Sequence, residues 1–140
     1  MRIFLGGTCA ESKWRDELIL YLIESHIEYF NPVVKDWTPE CQAIEEDEKN
    51  NKCDCHLYVI TKEMKGTYSI AEIINSAWQS IVYGTKVNKI IFVVLDEGIW
   101  EKHEIKSFDA VMNMVNNIAP NNSITGYVKD MKELYNLITL

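Results

Sequence analysis

The sequence lacks most of the motifs that mark common catalytic and phosphate-binding sites. It has no GK[ST] segment, which excludes a Walker-type phosphate loop, and no third glycine after Gly6-Gly7 at dinucleotide-fingerprint spacing. Its four cysteines contain no CxxC pair, so we expect buried, reduced thiols rather than a zinc site. The three histidines are scattered along the chain and form no Ser-His-Asp candidate. The sequence therefore predicts no metal and no organic cofactor.

Positive charge and long apolar runs are also scarce. The chain has 14 basic and 21 acidic side chains, a net charge of -7, which disfavours nucleic acid or an anionic membrane as a partner. The longest apolar run, residues 90–95, is too short to span a bilayer. Residues 2–5 are too short for the apolar core of a signal peptide. We therefore expect a cytoplasmic protein.

Five strand-like runs alternate with five helical patterns, which predicts one α/β domain over residues 1–140. The continuous apolar run 89–95 is typical of a central parallel strand that is buried on both faces. Because every crossover contains a helix, we predict a doubly wound, flavodoxin-like parallel sheet of order 2-1-3-4-5 with helices on both faces. The predicted strands are 2–5, 27–31, 53–61, 89–95 and 124–128, and the predicted helices are 11–25, 38–50, 69–83, 104–117 and 130–139.

In this strand order, a ligand site is expected at the carboxyl ends of strands 1 and 3, where the order reverses. The loop after strand 1 is rich in glycine, which lets the backbone turn tightly and approach a ligand. The loop after strand 3 leads into the third helix, whose first turn carries Glu72. The residues expected at this site from the two loops are Gly6, Gly7, Thr8, Gly66, Tyr68 and Ser69.

Glu72 has two interpretations at this stage. With Ser69 as the N-cap, Glu72 falls at the third helical position and completes a capping box. A carboxylate in the first turn of this helix can also face a bound ligand. The two roles are compatible, so the local pattern leaves both open.

Further acids and an aromatic residue are candidates for the same crevice. Asp36 and Trp37 follow strand 2, where they would hold a sugar hydroxyl and a flat ring, or form a solvated loop that covers the core edge. In the second helix Glu48 shares a stripe with apolar neighbours and Asp47 borders it, so one of the two is expected to face the sheet. Two carboxyl groups suit glycosidic bond cleavage, since one attacks the anomeric carbon and the other protonates the leaving group.

Five short segments carry a resemblance to a known family: Ile3-Phe4-Leu5-Gly6-Gly7-Thr8, Trp14-Arg15, Phe30-Asn31-Pro32, Cys53-Asp54 and Tyr68-Ser69-Ile70-Ala71-Glu72-Ile73. In this order the chain resembles the nucleoside 2-deoxyribosyltransferase superfamily, particularly its small, divergent members. The resemblance implies that Glu72 is the nucleophile and that Asp47 or Glu48 assists the leaving base. It also implies that the glycine-rich loop and Asp36 line the pocket for sugar and base.

The resemblance implies a small-molecule nucleoside or nucleotide as substrate, and a homo-oligomer in which a neighbouring subunit completes each pocket. Many transferases of the family carry an aspartate six residues before the nucleophile, where this chain has Gly66. Nucleotide-cleaving members hold a 5′-phosphate in this loop with glycine and small hydroxyl residues, which Gly66, Thr67 and Ser69 resemble. Transfer of a 2-deoxyribosyl group and hydrolysis of a nucleoside 5′-monophosphate are therefore both predicted.

Three other functions remain compatible with the sequence. One is an NAD glycohydrolase of the Toll/interleukin-receptor type, which also uses a glutamate after a serine-bearing loop. Another is a non-catalytic module that binds or sequesters nucleotides. The third is an interaction domain whose crevice is unused.

Overall fold

Five strands and five helices alternate along the chain in the computed structural model, which describes residues 1–9, 11–82 and 84–140. The strands are β1 (Arg2–Gly7), β2 (Glu28–Phe30), β3 (Cys55–Ile60), β4 (Lys89–Leu95) and β5 (Ser123–Val128). The helices are α1 (Trp14–Glu24), α2 (Pro39–Asp47), α3 (Tyr68–Gln79), α4 (Lys102–Ile118) and α5 (Met131–Ile138). A π-helical turn, Glu48–Lys52, continues α2, and a short 3-10 turn, Glu97–Ile99, precedes α4.

The sheet confirms the predicted topology. Its strands are all parallel and run in the order β2-β1-β3-β4-β5. Strand β1 lies beside β3, with Gly6 opposite Tyr58 and Gly7 opposite Val59. The reversal of strand order therefore falls between β1 and β3, which is where such sheets bind ligands.

Two apolar layers cover the sheet. Helices α1 and α5 pack on one face and helices α3 and α4 on the other. Residues 90–94 of β4 are completely buried, which confirms the prediction of a central strand. Within the described ranges, every helix is too short or too polar to cross a membrane.

The two glycines that were predicted to follow strand 1 lie inside β1 instead. A Cβ atom on Gly6 would lie 2.5 Å from the ring of Tyr58, and one on Gly7 would lie 2.1 Å from the carbonyl oxygen of Val59. Gly7 also has a φ of 110°, a conformation that other residues adopt only with strain. Both glycines are thus needed for β1 to pack against β3, before any ligand is considered.

The N-cap of the third helix lies two positions earlier than predicted, and this removes the capping box. Thr67 is the N-cap of α3 and its side chain makes no capping hydrogen bond, whereas Ser69 lies within the helix. Glu72 therefore falls at the fifth helical position instead of the third, and its carboxylate accepts a hydrogen bond from Lys49. The helix ends at Gln79, and the predicted end at Tyr83 lies outside the described residues.

Candidate active site

A crevice of about 290 Å³ opens beside the carboxyl end of β1. Its floor is the end of β1, and one wall is the segment that follows β2. The charged side chains come from α1, α2 and α3. The lining residues are Phe4, Gly6, Gly7, Cys9, Arg15, Pro32, Val33, Val34, Trp37, Glu45 and Glu72.

Glu72 is one of two carboxylates in this crevice. It projects from the first half of α3, and its Oε2 atom accepts a hydrogen bond from the Lys49 ammonium group. The Glu72 side chain is only 17% exposed, so the crevice holds this charge away from bulk water. The position places a carboxylate beside the Gly6-Gly7 end of β1, as the sequence predicts.

Glu45 of α2 supplies the second carboxylate. Burial raises the pKa of its carboxyl group, the charge of Glu72 raises it further, and the Lys49 ammonium opposes the shift. A carboxyl group with a raised pKa keeps its proton to a higher pH, which is the property required of a general acid. The crevice therefore holds one ion-paired carboxylate and one carboxyl group whose pKa is raised.

Arg15 of α1 lies behind the crevice and organises its floor. Its guanidinium group donates hydrogen bonds to the carbonyl oxygens of Leu5 at 2.9 Å, Thr8 at 2.6 Å and Gly7 at 3.3 Å. Burial lowers the pKa of Arg15, and its charge lies 4.4 Å from the centre of the Trp14 ring. The side chain therefore fixes the backbone at the end of β1 while adding a positive charge beside Glu45 and Glu72.

An apolar wall faces these charges. Phe4 lies at its base, and the segment after β2 supplies Pro32, Val33, Val34 and Trp37. Trp37 is 61% exposed, a large solvent-facing fraction for an indole ring. A flat, mostly apolar ligand group would find aromatic surface here, next to the two carboxyl groups.

Neither acid that the sequence favours in the second helix reaches the crevice. Glu48 turns toward the amino end of β1, where its carboxylate accepts hydrogen bonds from Arg2 Nε at 2.9 Å and from Arg2 Nη2 at 3.1 Å. Asp47 is exposed and contacts Asn51 and Lys52. The expectation that one of these two assists at the crevice is corrected, and Glu45 occupies that position.

The remaining predicted residues divide into three groups. Gly6, Gly7 and Trp37 line the crevice together with Glu72. Thr8 is buried, and its hydroxyl accepts a hydrogen bond from the Thr61 backbone at 3.0 Å, which ties β1 to β3. Four predicted residues do not line the crevice and keep part of their surface exposed: Asp36, Gly66, Tyr68 and Ser69.

Glu48 does face the sheet, with 7% of its surface exposed, but it does so at the amino end of β1. Helix α2 runs from the carboxyl end of β2 back to the amino end of β3, so an acid earlier in the helix lies nearer the crevice. Glu45 was missed because the sequence analysis considered which side of the helix faces the sheet but not which end of the sheet each residue reaches. Counting from Cys41 in steps of four residues gives Glu45 and then Lys49, the two side chains on the crevice side.

A family model described as nucleoside 2-deoxyribosyltransferase like matches residues 1–98. The chain belongs to this family. The matched residues include β1, β3, the first turn of α3 and every residue that lines the crevice. Membership implies binding of a nucleoside or nucleotide and suggests a glycosyl transferase or hydrolase. No curated protein and no solved structure matches the sequence.

Metal ligands are not gathered at this site. Over residues 1–9, 11–82 and 84–140, no three His, Cys, Asp or Glu side chains are arranged to hold a metal ion. The four cysteines are free thiols: Cys53 and Cys55 are buried, and Cys9 is exposed at the crevice.

Proposed function

We propose that the protein cleaves the N-glycosidic bond of a 2-deoxynucleoside or its 5′-monophosphate, and passes the deoxyribosyl group to water or to an acceptor base. The observation that carries the proposal is the pairing of Glu72 with Glu45 in one crevice at the end of β1. Family membership supplies the substrate class, and the two carboxyl groups supply a chemistry for it.

In the first step, a Glu72 oxygen attacks C1′ of the sugar as the bond from C1′ to the base nitrogen breaks. The electron pair of that bond leaves with the base, and Glu45 donates its proton to the departing base. The products are the free base and a deoxyribosyl ester on Glu72. The raised pKa of Glu45 supports this assignment, because the acid must arrive protonated.

In the second step, water or an acceptor base attacks C1′ of the ester and releases Glu72. Glu45, now a carboxylate, removes the proton from the attacking group. Two displacements at the same carbon give net retention of configuration. Trp37, with 61% of its surface exposed, provides apolar surface on which the base can stack during both steps.

A 5′-phosphate would be held by the amino-terminal turn of α3. The backbone amides of a helix N-terminus attract anions. A Cβ atom at Gly66 would meet no atom within 4 Å, so this loop has room for a ligand group. The same loop carries Thr67 and Ser69, whose hydroxyl groups can hydrogen-bond phosphate oxygens. This feature supports the monophosphate as one of the two substrate forms.

We also propose that the protein acts as a homo-oligomer. Large apolar side chains of the crevice wall are exposed, and a second copy of the chain would cover them: Val33, Val34 and Trp37. Clusters of exposed apolar residues often mark protein interfaces.

The test is incubation of the purified protein with deoxynucleosides, their 5′-monophosphates and NAD, with and without an acceptor base. Free base is followed by chromatography. We expect base release by the native protein and none by Glu72→Ala, whereas Glu46→Ala, on the exposed side of α2, should behave as native. Undiminished turnover by Glu72→Ala would reject the assignment of Glu72 as the nucleophile.

The alternatives give distinct results in the same experiment. Release of nicotinamide from NAD without base release from deoxynucleotides would favour the NAD glycohydrolase. Saturable binding of a nucleotide with no product on prolonged incubation would favour a sequestering module. A panel with neither binding nor product would favour the interaction domain.

A further inference from the structure

A chain of buried hydrogen bonds connects β3, α3 and the π-helical turn after α2. The Tyr58 hydroxyl lies 2.7 Å from Ser76 Oγ, which lies 2.8 Å from His56 Nδ1. His56 Nε2 lies 2.7 Å from the carbonyl oxygen of Lys49. All three side chains of this network are fully buried, and the proposed reaction uses none of them.

The direction of each hydrogen bond follows from the carbonyl group at one end. A carbonyl oxygen only accepts, so His56 Nε2 carries the ring proton and donates it to Lys49. Nδ1 is then an acceptor, so Ser76 donates to it and itself accepts from Tyr58. Burial lowers the pKa of His56 to about 4, which keeps the ring in the neutral form that this network requires.

The network fixes the backbone from which the Lys49 side chain starts. The π-helical turn is closed by a hydrogen bond of 2.7 Å from the Cys53 amide to the Glu48 carbonyl oxygen, five residues earlier. From this turn the Lys49 ammonium reaches Glu72 and lies 4.7 Å from the centre of the Phe4 ring. The Lys49 side chain is only 15% exposed. The backbone of Lys49, its ammonium group and the Glu72 carboxylate are thus all held by specific contacts.

We propose that Lys49 is a positioning residue that holds the Glu72 carboxylate in the orientation required for attack on the anomeric carbon. This inference rests on the proposed function. The ammonium binds Oε2, so Oε1 is the oxygen that attacks C1′. Arg15, Glu45 and Tyr58 also lie close enough to Glu72 to interact with its charge, and among the described residues Lys49 forms its ion pair.

A matched pair on the same turn provides the control. Lys52 lies 3.4 Å from Asp47, but these side chains are 56% and 50% exposed and lie away from the crevice. Both lysines belong to the same π-helical turn and both pair with a carboxylate. Only Lys49 pairs with a residue of the crevice.

The experiment compares native protein with Lys49→Met, Lys49→Arg and Lys52→Met by steady-state kinetics of base release. We expect Lys49→Met to lower kcat by about 100-fold with KM changed less than about twofold, because the nucleophile is misplaced while the binding surface remains. Lys49→Arg should recover about tenfold over Lys49→Met, since a guanidinium group can also bind a carboxylate. Lys52→Met should match the native protein.

A second readout does not depend on turnover. Carbodiimide-coupled incorporation of an added amine at Glu72, mapped by mass spectrometry, should be faster in Lys49→Met than in native protein. In the variant, Lys49 no longer binds the carboxylate or captures the activated carboxyl group as an isopeptide. Equal rates would overturn the positioning role, and so would native kcat in Lys49→Met while Glu72→Ala is inactive. A native protein that releases no base would instead reject the proposed function, and the amidation rates would still decide whether Lys49 constrains Glu72.

Discussion

Two carboxyl groups share the crevice, but their surroundings prepare them for different roles. Glu72 has a buried ammonium group as its partner, whereas burial raises the pKa of Glu45. Differences in environment of this kind commonly separate a nucleophile from a general acid within one site. The assignment of the two roles therefore depends on Lys49 and on the burial of Glu45, and it gives predictions for each.

Glu45→Gln should lower kcat/KM for base release by about 10²- to 10⁴-fold, because the leaving base loses its proton donor. The native activity should decline as the pH rises through the raised pKa of Glu45, since the acid is then deprotonated. In Glu45→Gln that decline should be absent. Measurement of kcat/KM against pH for both proteins checks the prediction.

The exposed neighbour Glu46 provides the control for this experiment. Glu46→Gln should retain the native pH profile, since Glu46 contacts Gln42 on the outer side of α2. If Glu46→Gln lost as much activity as Glu45→Gln, the loss would reflect a change in helix stability and not the absence of the acid at position 45.

The buried ring of His56 predicts a dependence of stability on pH. Its pKa is about 4 in the folded protein and 6.5 in the unfolded chain, so the unfolded state binds the proton first as the pH falls. This contribution to stability is complete above pH 6.5 and is lost as the pH falls toward 4. Urea unfolding should show a loss of about 2 kcal/mol between about pH 7 and pH 5 from this residue.

His56→Gln separates this residue from the carboxylates, because a glutamine amide can still donate to the Lys49 carbonyl oxygen. The variant should lose most of the change in unfolding free energy between neutral and mildly acidic pH. An unchanged dependence would show that another group is responsible.

Strand β1 depends on glycine for its contact with β3. Gly7→Ala should lower the free energy of unfolding by about 3 kcal/mol or more, because the added methyl group meets the Val59 backbone at a strained φ. Gly66→Ala adds the same group where no atom lies within 4 Å and should change stability little. Thermal and urea unfolding of both variants measure the difference, and equal stability would contradict the packing role of Gly7.

At the scale of the elements, the sequence predicted that each helix and strand exists, but it predicted less well which side of a helix faces the sheet. Helix α2 begins at Pro39 as predicted, because Thr-Pro-Glu is a strong helix start. The helix period alone did not show which side of α2 faces inward, since its apolar residues are few and Ile44 is exposed. Glu48 contacts Arg2 at the amino end of β1, and no local pattern predicted the π-helical turn that begins at Glu48.

For the whole molecule, the strand order was predictable because parallel strands joined by helices allow few arrangements. That order correctly brought Gly6, Gly7 and Glu72 together. The contribution of Arg15 was not predictable, because its contacts with carbonyl oxygens depend on the turn after β1. Asp36 of the loop after β2 and Tyr68 at the start of α3 lie outside the crevice lining, and their positions also depend on tertiary contacts.

The proposed homo-oligomer gives a prediction at this scale. Val34→Glu places a charge among the exposed apolar side chains of the crevice wall, so it should convert the oligomer to a monomer. Light scattering coupled to size-exclusion chromatography measures the mass. Leu20→Glu, at an exposed position of α1, is the control and should leave the mass unchanged. A native protein that is monomeric at all concentrations would contradict this proposal.

The formation of a covalent sugar ester on Glu72 is the most direct test of the mechanism. The protein is mixed with the deoxynucleoside or 5′-monophosphate that it cleaves, quenched in acid and digested, and the peptides are weighed by mass spectrometry. We predict that the peptide containing Glu72 gains the mass of one deoxyribosyl group, or of its 5′-phosphate where a monophosphate is used, and that Glu72→Gln gains none. Base release without any adduct on Glu72, or an adduct on a different carboxylate, would contradict the account.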